Sequence, residues 1–315
     1  GSPHIPVYDT TTFAFGSTAE LLDVIDGRKP GSLYTRYGMN PSIFEARIHA
    51  LRPAAGQEQA AAWFRAALEG SSLYASGSPR SVQDALSFRV VATLFGTARN
   101  ALTQAEKETE TEINGAADNP AVLLETDEML STPNFHTSAL ALALDTLAIA
   151  HVHLATASAQ RILKLMNPQL SGLPKYLSPA GGASAGLLPL QKTVASLLAE
   201  IRLHAQPASL DAIAVSEMVE DVAPQTPLAA RKLAIQIELL QWLIAIEALV
   251  AAQAVDLRKP KSLGRVATLL HDAIRSAVSP LNEDRATGPD VATVRQAISA
   301  AELRNVLANV GLSSL

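Results

Sequence analysis

The chain has 315 residues, 48% apolar and 17% charged, with a mean hydropathy of +0.16 and a formal net charge of −5. That length suits one large or two ordinary domains, and the oily composition predicts a surface largely covered by other subunits. The lack of cysteine excludes disulfides and thiolate chemistry. The acidic balance, broken only by RKPK at Arg258–Lys261, gives little footing for nucleic acid or an anionic membrane.

The first segment, PVYDTTTFAFGS (Pro6–Ser17) followed by DGRKPGSLYTRYG (Asp26–Gly38), is rich in Thr, Phe and Tyr. It reads as an irregular, extended arm over 1–38, with one short helix near Thr18–Asp26 for which Ser17 is the cap and Glu20 its partner. Gly38–Pro53 is the joint to a second unit, 39–315. From Ala54 onward alanine and leucine dominate and apolar positions recur at three and four, which predicts an all-α chain. Helices are expected over roughly 57–69, 83–107, 135–167, 184–205, 225–256, 262–278 and 289–311. Turn clusters NGAADNP (Asn114–Pro120), NPQLSGLP (Asn167–Pro174) and SPAGGASAG (Ser178–Gly186) separate them. Helices this long imply a bundle whose central members are wrapped by others.

Two apolar runs, Ala139–Ala159 and Leu239–Val255, are long enough to raise the question of a membrane. The first carries Asp145, His151 and His153, the second Gln241 and Glu247. Such groups suit interhelical hydrogen bonds inside a bundle better than lipid. The N-terminus lacks a basic region followed by an apolar one, so a cytoplasmic protein is expected.

VQDALSFRVVATLFGTARNAL (Val82–Leu102) resembles the segment around the Gln-Asp-x-Tyr-Ser-x-Arg motif of the histidine and phenylalanine ammonia-lyase family. The likeness continues through EINGAADNP (Glu112–Pro120), NFHTSALALALD (Asn134–Asp145), LPKYLSPAGGASAGLLPLQ (Leu173–Gln191) and PASLDAIAVSEMVEDV (Pro207–Val222), and FEARIHALRPAAGQEQAAAWFRAALEGSS (Phe44–Ser72) matches the stretch upstream. The resemblance covers about 40–258, the C-terminal part of that family, and implies its long-helix bundle. The family eliminates or shifts the amino group of aromatic amino acids with a methylidene-imidazolone electrophile made from backbone Ala-Ser-Gly. An arginine grips the substrate carboxylate in forked geometry. Carried over, Arg89 matches that arginine and Gln83 the glutamine of the motif. Phe135 matches an aromatic residue lining the electrophile, and Glu220 the acid facing the substrate's amine or ring. Two positions depart from the family: the motif tyrosine is Leu86, and the usual histidine after Glu220-Asp221 is Val222. Neither aliphatic can transfer a proton.

Nothing in Gly1–Gly38 resembles the electrophile loop. Ala75-Ser76-Gly77 has the right tripeptide, but its Ser/Gly/Pro-rich surroundings read as a surface loop without the packing that cyclisation needs. In this family several subunits build each active site. The expectation is therefore a homo- or hetero-oligomer acting on an amino acid, with the electrophile supplied by a partner chain.

Ile5–Gly38 is similar to the N-terminal arm of the cystathionine synthase and methionine lyase family, where a Tyr-x-Arg pair, here Tyr34 and Arg36, binds the phosphate of pyridoxal phosphate in a neighbouring subunit. The Schiff-base lysine and cofactor domain of that family are absent, so the resemblance implies pyridoxal phosphate only with a partner. An oligomerisation strap is the plainer reading.

Plainer readings also stand beside the site assignments. Arg89 could be a structural ion-pair partner, Phe135 core packing, and Glu220 with Asp221 a helix-start charge pair. His136, His151 and His153 lack a carboxylate at ligand spacing, so no metal is expected and buried, hydrogen-bonded roles are. GGASAG (Gly181–Gly186) follows a turn rather than a strand, which favours close helix approach over a phosphate cradle.

Overall fold

A computed structural model describes residues 42–74, 84–210 and 212–299, with three further positions, Ala19, Asp23 and Arg28. Ala19 and Asp23 are helical, within the short helix expected in the arm, and Arg28 pairs with Asp23 at 2.9 Å; the other arm residues lie outside the described set. Seven helices of three turns or more carry the described fold: α1 (Ala55–Leu68), α2 (Val91–Asn114), α3 (Ser138–Leu165), α4 (Leu188–His204), α5 (Thr226–Arg258), α6 (Arg265–Ala277) and α7 (Gly288–Ser299). Over the described residues the helical pattern of the sequence is thus realised, with one difference near the start of the second helix; positions 300–311 of the last expected helix lie outside the described residues. The second helix is broken at Val90 (φ −98°, ψ 14°), leaving a separate turn, Leu86–Arg89.

Proline and left-handed residues set the ends of the longest helix. Pro227 lies in its first turn, where no amide partner is lost. Lys259 at its C-terminus is left-handed (φ 50°) and Pro260 follows, so the helix cannot continue. At 33 residues it runs about 50 Å. It packs on α3, α4 and α7, while α2 packs on α1 and α3.

The main core lies where α3, α4, α5 and α7 meet, around Ile162, Ile201, Leu243, Ile246, Val250 and Val294. A second, alanine-built core joins α2 to α3 through Ala98, Ala101, Ala105, Ala143 and Ala148. Small side chains bring backbones close, most of all at Gly56 and Gly96. A Cβ on Gly96 would stand 2.4 Å from the Gln57 amide, and one on Gly56 2.4 Å from the Gly96 carbonyl.

α3 and α5 are long and apolar enough to cross a membrane by length and composition. Here they pack on each other, and four of the five polar residues singled out in them (Asp145, His151, Gln241 and Glu247) find partners, while His153 is exposed. Asp145 accepts from the Ala208 and Ser209 amides at 2.9 Å. His151 Nδ1 meets Gln236 Oε1 at 3.0 Å, and Arg295 donates to Gln241 at 3.2 Å. Between α2 and α3 the chain makes a short antiparallel hairpin, β1 (Ala121–Leu123) with β2 (Glu128–Leu130), just after the turn cluster Asn114–Pro120 and in a stretch to which the sequence reading assigned no element.

Candidate active site

Arg89 ends the Leu86–Arg89 turn and is half-buried, whereas Leu86 is 61% exposed. The turn is held from outside. Arg161, near the C-terminal end of α3, donates Nη1 to the Ser87 carbonyl at 3.0 Å. Its remaining donors grip Glu247 of α5, Nε to Oε1 at 2.5 Å and Nη2 to Oε2 at 3.0 Å, and Ser158 adds a 2.6 Å bond to the same carboxylate. Both ion-pair partners are largely withdrawn from solvent, which strengthens the pair and fixes its geometry.

Phe135 and Glu220 belong to the opposite end of α3. Phe135 is 58% exposed and precedes the helix by three residues. Glu220, also exposed, closes a loop in which its amide and carbonyl pair with Val215. Ser216, Glu217 and Met218 within that loop are all left-handed, at φ 53°, 57° and 72°. For non-glycine residues this conformation costs about 1–2 kcal/mol each. The loop is anchored at its start by Asp145, through Ala208 and Ser209. Beyond it, the hydroxyls of Thr137 and Thr226 meet at 2.7 Å and Thr226 also donates to the Thr137 carbonyl. That clasp ties the segment of Phe135 to the strand of chain that follows Glu220. Glu220 is not at a helix start, because α5 begins only at Thr226; the helix-start charge pair is thereby corrected.

The described candidates therefore fall into two groups. Thr137, beside Phe135, and Arg161, which holds the Arg89 turn, are 24 residues apart on one helix, or about 36 Å. Gln83, Ala75-Ser76-Gly77, Tyr34 and Arg36 lie outside the described residues. The stabiliser of the Arg89 turn, Arg161, was missed from sequence; its only signal there is a lone arginine late in an apolar helix.

Of the histidines, His151 is hydrogen-bonded as expected but only half-buried, and the desolvation it does suffer holds its imidazole below the usual range. His153 is exposed, which corrects its buried assignment, and the Nε2 of half-buried His136 has no protein partner. Among the described residues no group of three or more His, Cys, Asp or Glu could hold a metal ion.

The GGASAG turn is not a helix–helix approach. Its Ala185 and Gly186 amides point at the Asp284 carboxylate, at 2.8 and 2.9 Å, and the Ser184 hydroxyl joins them. These bonds hold the Asp284 pKa below the ordinary carboxylate range. The chain fills this anion cradle with its own acid.

Comparison with known proteins gives the class first. The fold superposes on ergothionase from Treponema denticola with a TM-score of 0.80 at 31% identity, covering 85% of this chain and 54% of that one. Tyrosine aminomutase from Streptomyces globisporus gives 0.80 at 30%, covering 85% and 55%. The architecture is thus the helical fold of ammonia-lyases and aminomutases. The sequence pattern of the aromatic amino acid lyases matches residues 33–276, and the chain belongs to that family. Histidine ammonia-lyase from Symbiobacterium thermophilum is 38% identical over 266 residues, 84% of this chain. The match takes in 52% of that relative, so the chain spans about half the length of the curated relatives it matches. The likeness to the arm of pyridoxal-phosphate enzymes finds no support in these comparisons.

Proposed function

We propose that this chain contributes to a composite active site of an ammonia-lyase or aminomutase acting on an amino acid. The observation carrying this reading is the separation along α3. The Arg89 turn is held at one end and Phe135 and Glu220 at the other, about 36 Å apart, so one chain cannot bring them onto one small molecule. A site uniting such residues needs a second chain, and the exposed apolar side chains of Leu142, Ile149, Leu210 and Ile213 offer surface for one.

In this reading Arg89, with Gln83 beside it in sequence, binds the substrate carboxylate at one half-site. At the other, the Glu220 carboxylate faces the amine or ring, and the exposed Phe135 ring provides the apolar wall against which an electrophile from another chain would rest. The methylidene-imidazolone group of this family supplies, when present, an electron sink for the amine or the ring. An aromatic face with a carboxylate on the neighbouring loop fits that group.

Native mass spectrometry of the assembly from its source, with intact mass of every chain, tests the proposal. It expects a second chain lighter by two waters and a near-ultraviolet chromophore. An assembly of this chain alone, without chromophore, refutes it.

A second reading, a silent scaffold that keeps the bundle for assembly, is favoured by one observation. Leu86 and Val222, the two aliphatics at positions where the family has polar groups, are 61% and 68% exposed, on surface suited to contact rather than chemistry.

A further inference from the structure

An asparagine side chain is open to attack by the backbone nitrogen of the residue that follows it, and the sequence decides where that attack is easy. Asn40, Asn119 and Asn167 precede proline, which has no N–H to give up. Asn100, Asn134, Asn282, Asn305 and Asn309 precede residues whose Cβ crowds the approach. Asn114 alone precedes glycine. Gly115 leaves its nitrogen uncovered and turns it towards the side chain at little steric cost.

The fold puts this pair at the least supported end of α2. The buried residues of that helix stop at Ala105, so its stretch 106–114 is anchored by no buried side chain, and Ile113 is 75% exposed. Asn114 and Gly115 are both exposed, and a 2.7 Å bond from Asn114 Nδ2 to the Glu110 carbonyl holds the side chain back along the helix. A helix end held this way opens locally at far lower cost than the whole fold. Each opening frees the side chain to meet the Gly115 nitrogen. The chain beyond Gly115 is in turn tied to the approach of Phe135. Asn134 donates to the Ala116 carbonyl at 3.3 Å, and Asn119 Oδ1 accepts from the Ser131 hydroxyl and the Thr132 amide at 3.2 and 3.0 Å. The segment 116–119 thus sets where 131–134 lies, and Phe135 follows it.

We propose that Asn114-Gly115 is a self-modification site, where the main chain cyclises and releases ammonia. The Gly115 nitrogen bonds to Cγ of Asn114 as the Cγ–Nδ2 bond breaks. The proton of the Gly115 N–H leaves with the amine as ammonia, and a five-membered succinimide remains. Water then adds across one of the two ring C–N bonds and opens the ring. The product is either aspartate or an aspartate joined to Gly115 through its side-chain carbon. Charge and length carry the effect onward. A carboxylate replaces the donor to the Glu110 carbonyl, at the negative end of the helix and close to Glu110 and Glu112. The side-chain-linked product also adds one carbon to the main chain ahead of Ala116, which displaces its contact with Asn134. This site is independent of the composite-site reading.

The test incubates the full 315-residue chain in mildly alkaline buffer and follows intact mass and peptide maps. The mass should rise by one unit, through a transient species lighter by one ammonia, with the change at Asn114 faster than at any other asparagine. Gly115→Ala should slow the conversion at least tenfold. Its added carbon would lie 2.9 Å from the Thr111 carbonyl, so circular dichroism checks that the variant is folded. Should it unfold, the peptide map of the unsubstituted chain decides alone. In the converted chain, amide exchange should rise at 131–135 and stay unchanged in the middle of α5. Asn114 still intact when a free peptide of residues 108–120 has converted overturns the site. Conversion with unaltered exchange at 131–135 overturns its reach to Phe135 and upholds the site.

Discussion

Arg161 and Glu247 meet in a two-pronged ion pair at the crossing of α3 and α5, and the guanidinium spends its third contact on the carbonyl of Ser87. One side chain thus couples the two longest helices to the turn that presents Arg89. The apolar bundle is held by burial, but the orientation of that turn depends on a charge.

Removing one partner strands the other in a poorly hydrated position. Glu247→Leu is expected to destabilise the fold by about 3 kcal/mol, whereas the double replacement Arg161→Met with Glu247→Leu should cost much less. Urea denaturation measures both. Arg161→Met should in addition raise amide exchange at 86–90, a local effect that a general loss of stability would spread over the whole bundle.

His151 gives stability a pH dependence. Partial burial lowers its pKa in the folded chain below the ordinary imidazole range, while the hydrogen bond to Gln236 partly opposes the shift. The unfolded chain therefore binds the extra proton first as pH falls, and the contribution of neutral His151 is whole above about 6.5 and is lost progressively below it. Denaturation midpoints at pH 7.5 and 5.5 should differ in that direction. His151→Gln should flatten the difference.

Gly96→Ala pits one methyl group against backbone. The new carbon would lie 2.4 Å from the Gln57 amide, with no flexible side-chain end to yield, so α1 must move away from α2. A loss of roughly 1–3 kcal/mol is expected, read as a lower melting temperature. Gly182→Ala, whose added carbon meets nothing within 4 Å, is the control and should be close to neutral.

Much of this architecture is written in local pattern. The Ala/Leu periodicity located α3, α4 and α5 to within a few residues, and Asp145, His151, Gln241 and Glu247 marked their runs as bundle rather than lipid. What escaped depends on distant partners. The apolar repeat passes through Val90 without interruption, and the separate turn before it is held by an arginine 74 residues downstream of Ser87. The hairpin strands are three residues each and almost wholly exposed, too short for alternation to register. GGASAG was read without Asp284, which comes almost a hundred residues later. The candidates Arg89, Phe135 and Glu220 were legible through resemblance alone. Their division between the two ends of α3 required the contacts of Arg161, Thr137 and Thr226.

α3 therefore acts as a ruler. In a composite site of the proposed kind, each chain owns two unlike halves of two different centres and no centre of its own. A lesion at Arg89 and a lesion at Glu220, carried on separate chains and mixed, would leave some centres with both halves sound. Diluting the chains would extinguish turnover by dissociation before any residue had changed. Catalytic competence would then belong to the assembly and be shared out among its members, with α3 setting the distance between the shares.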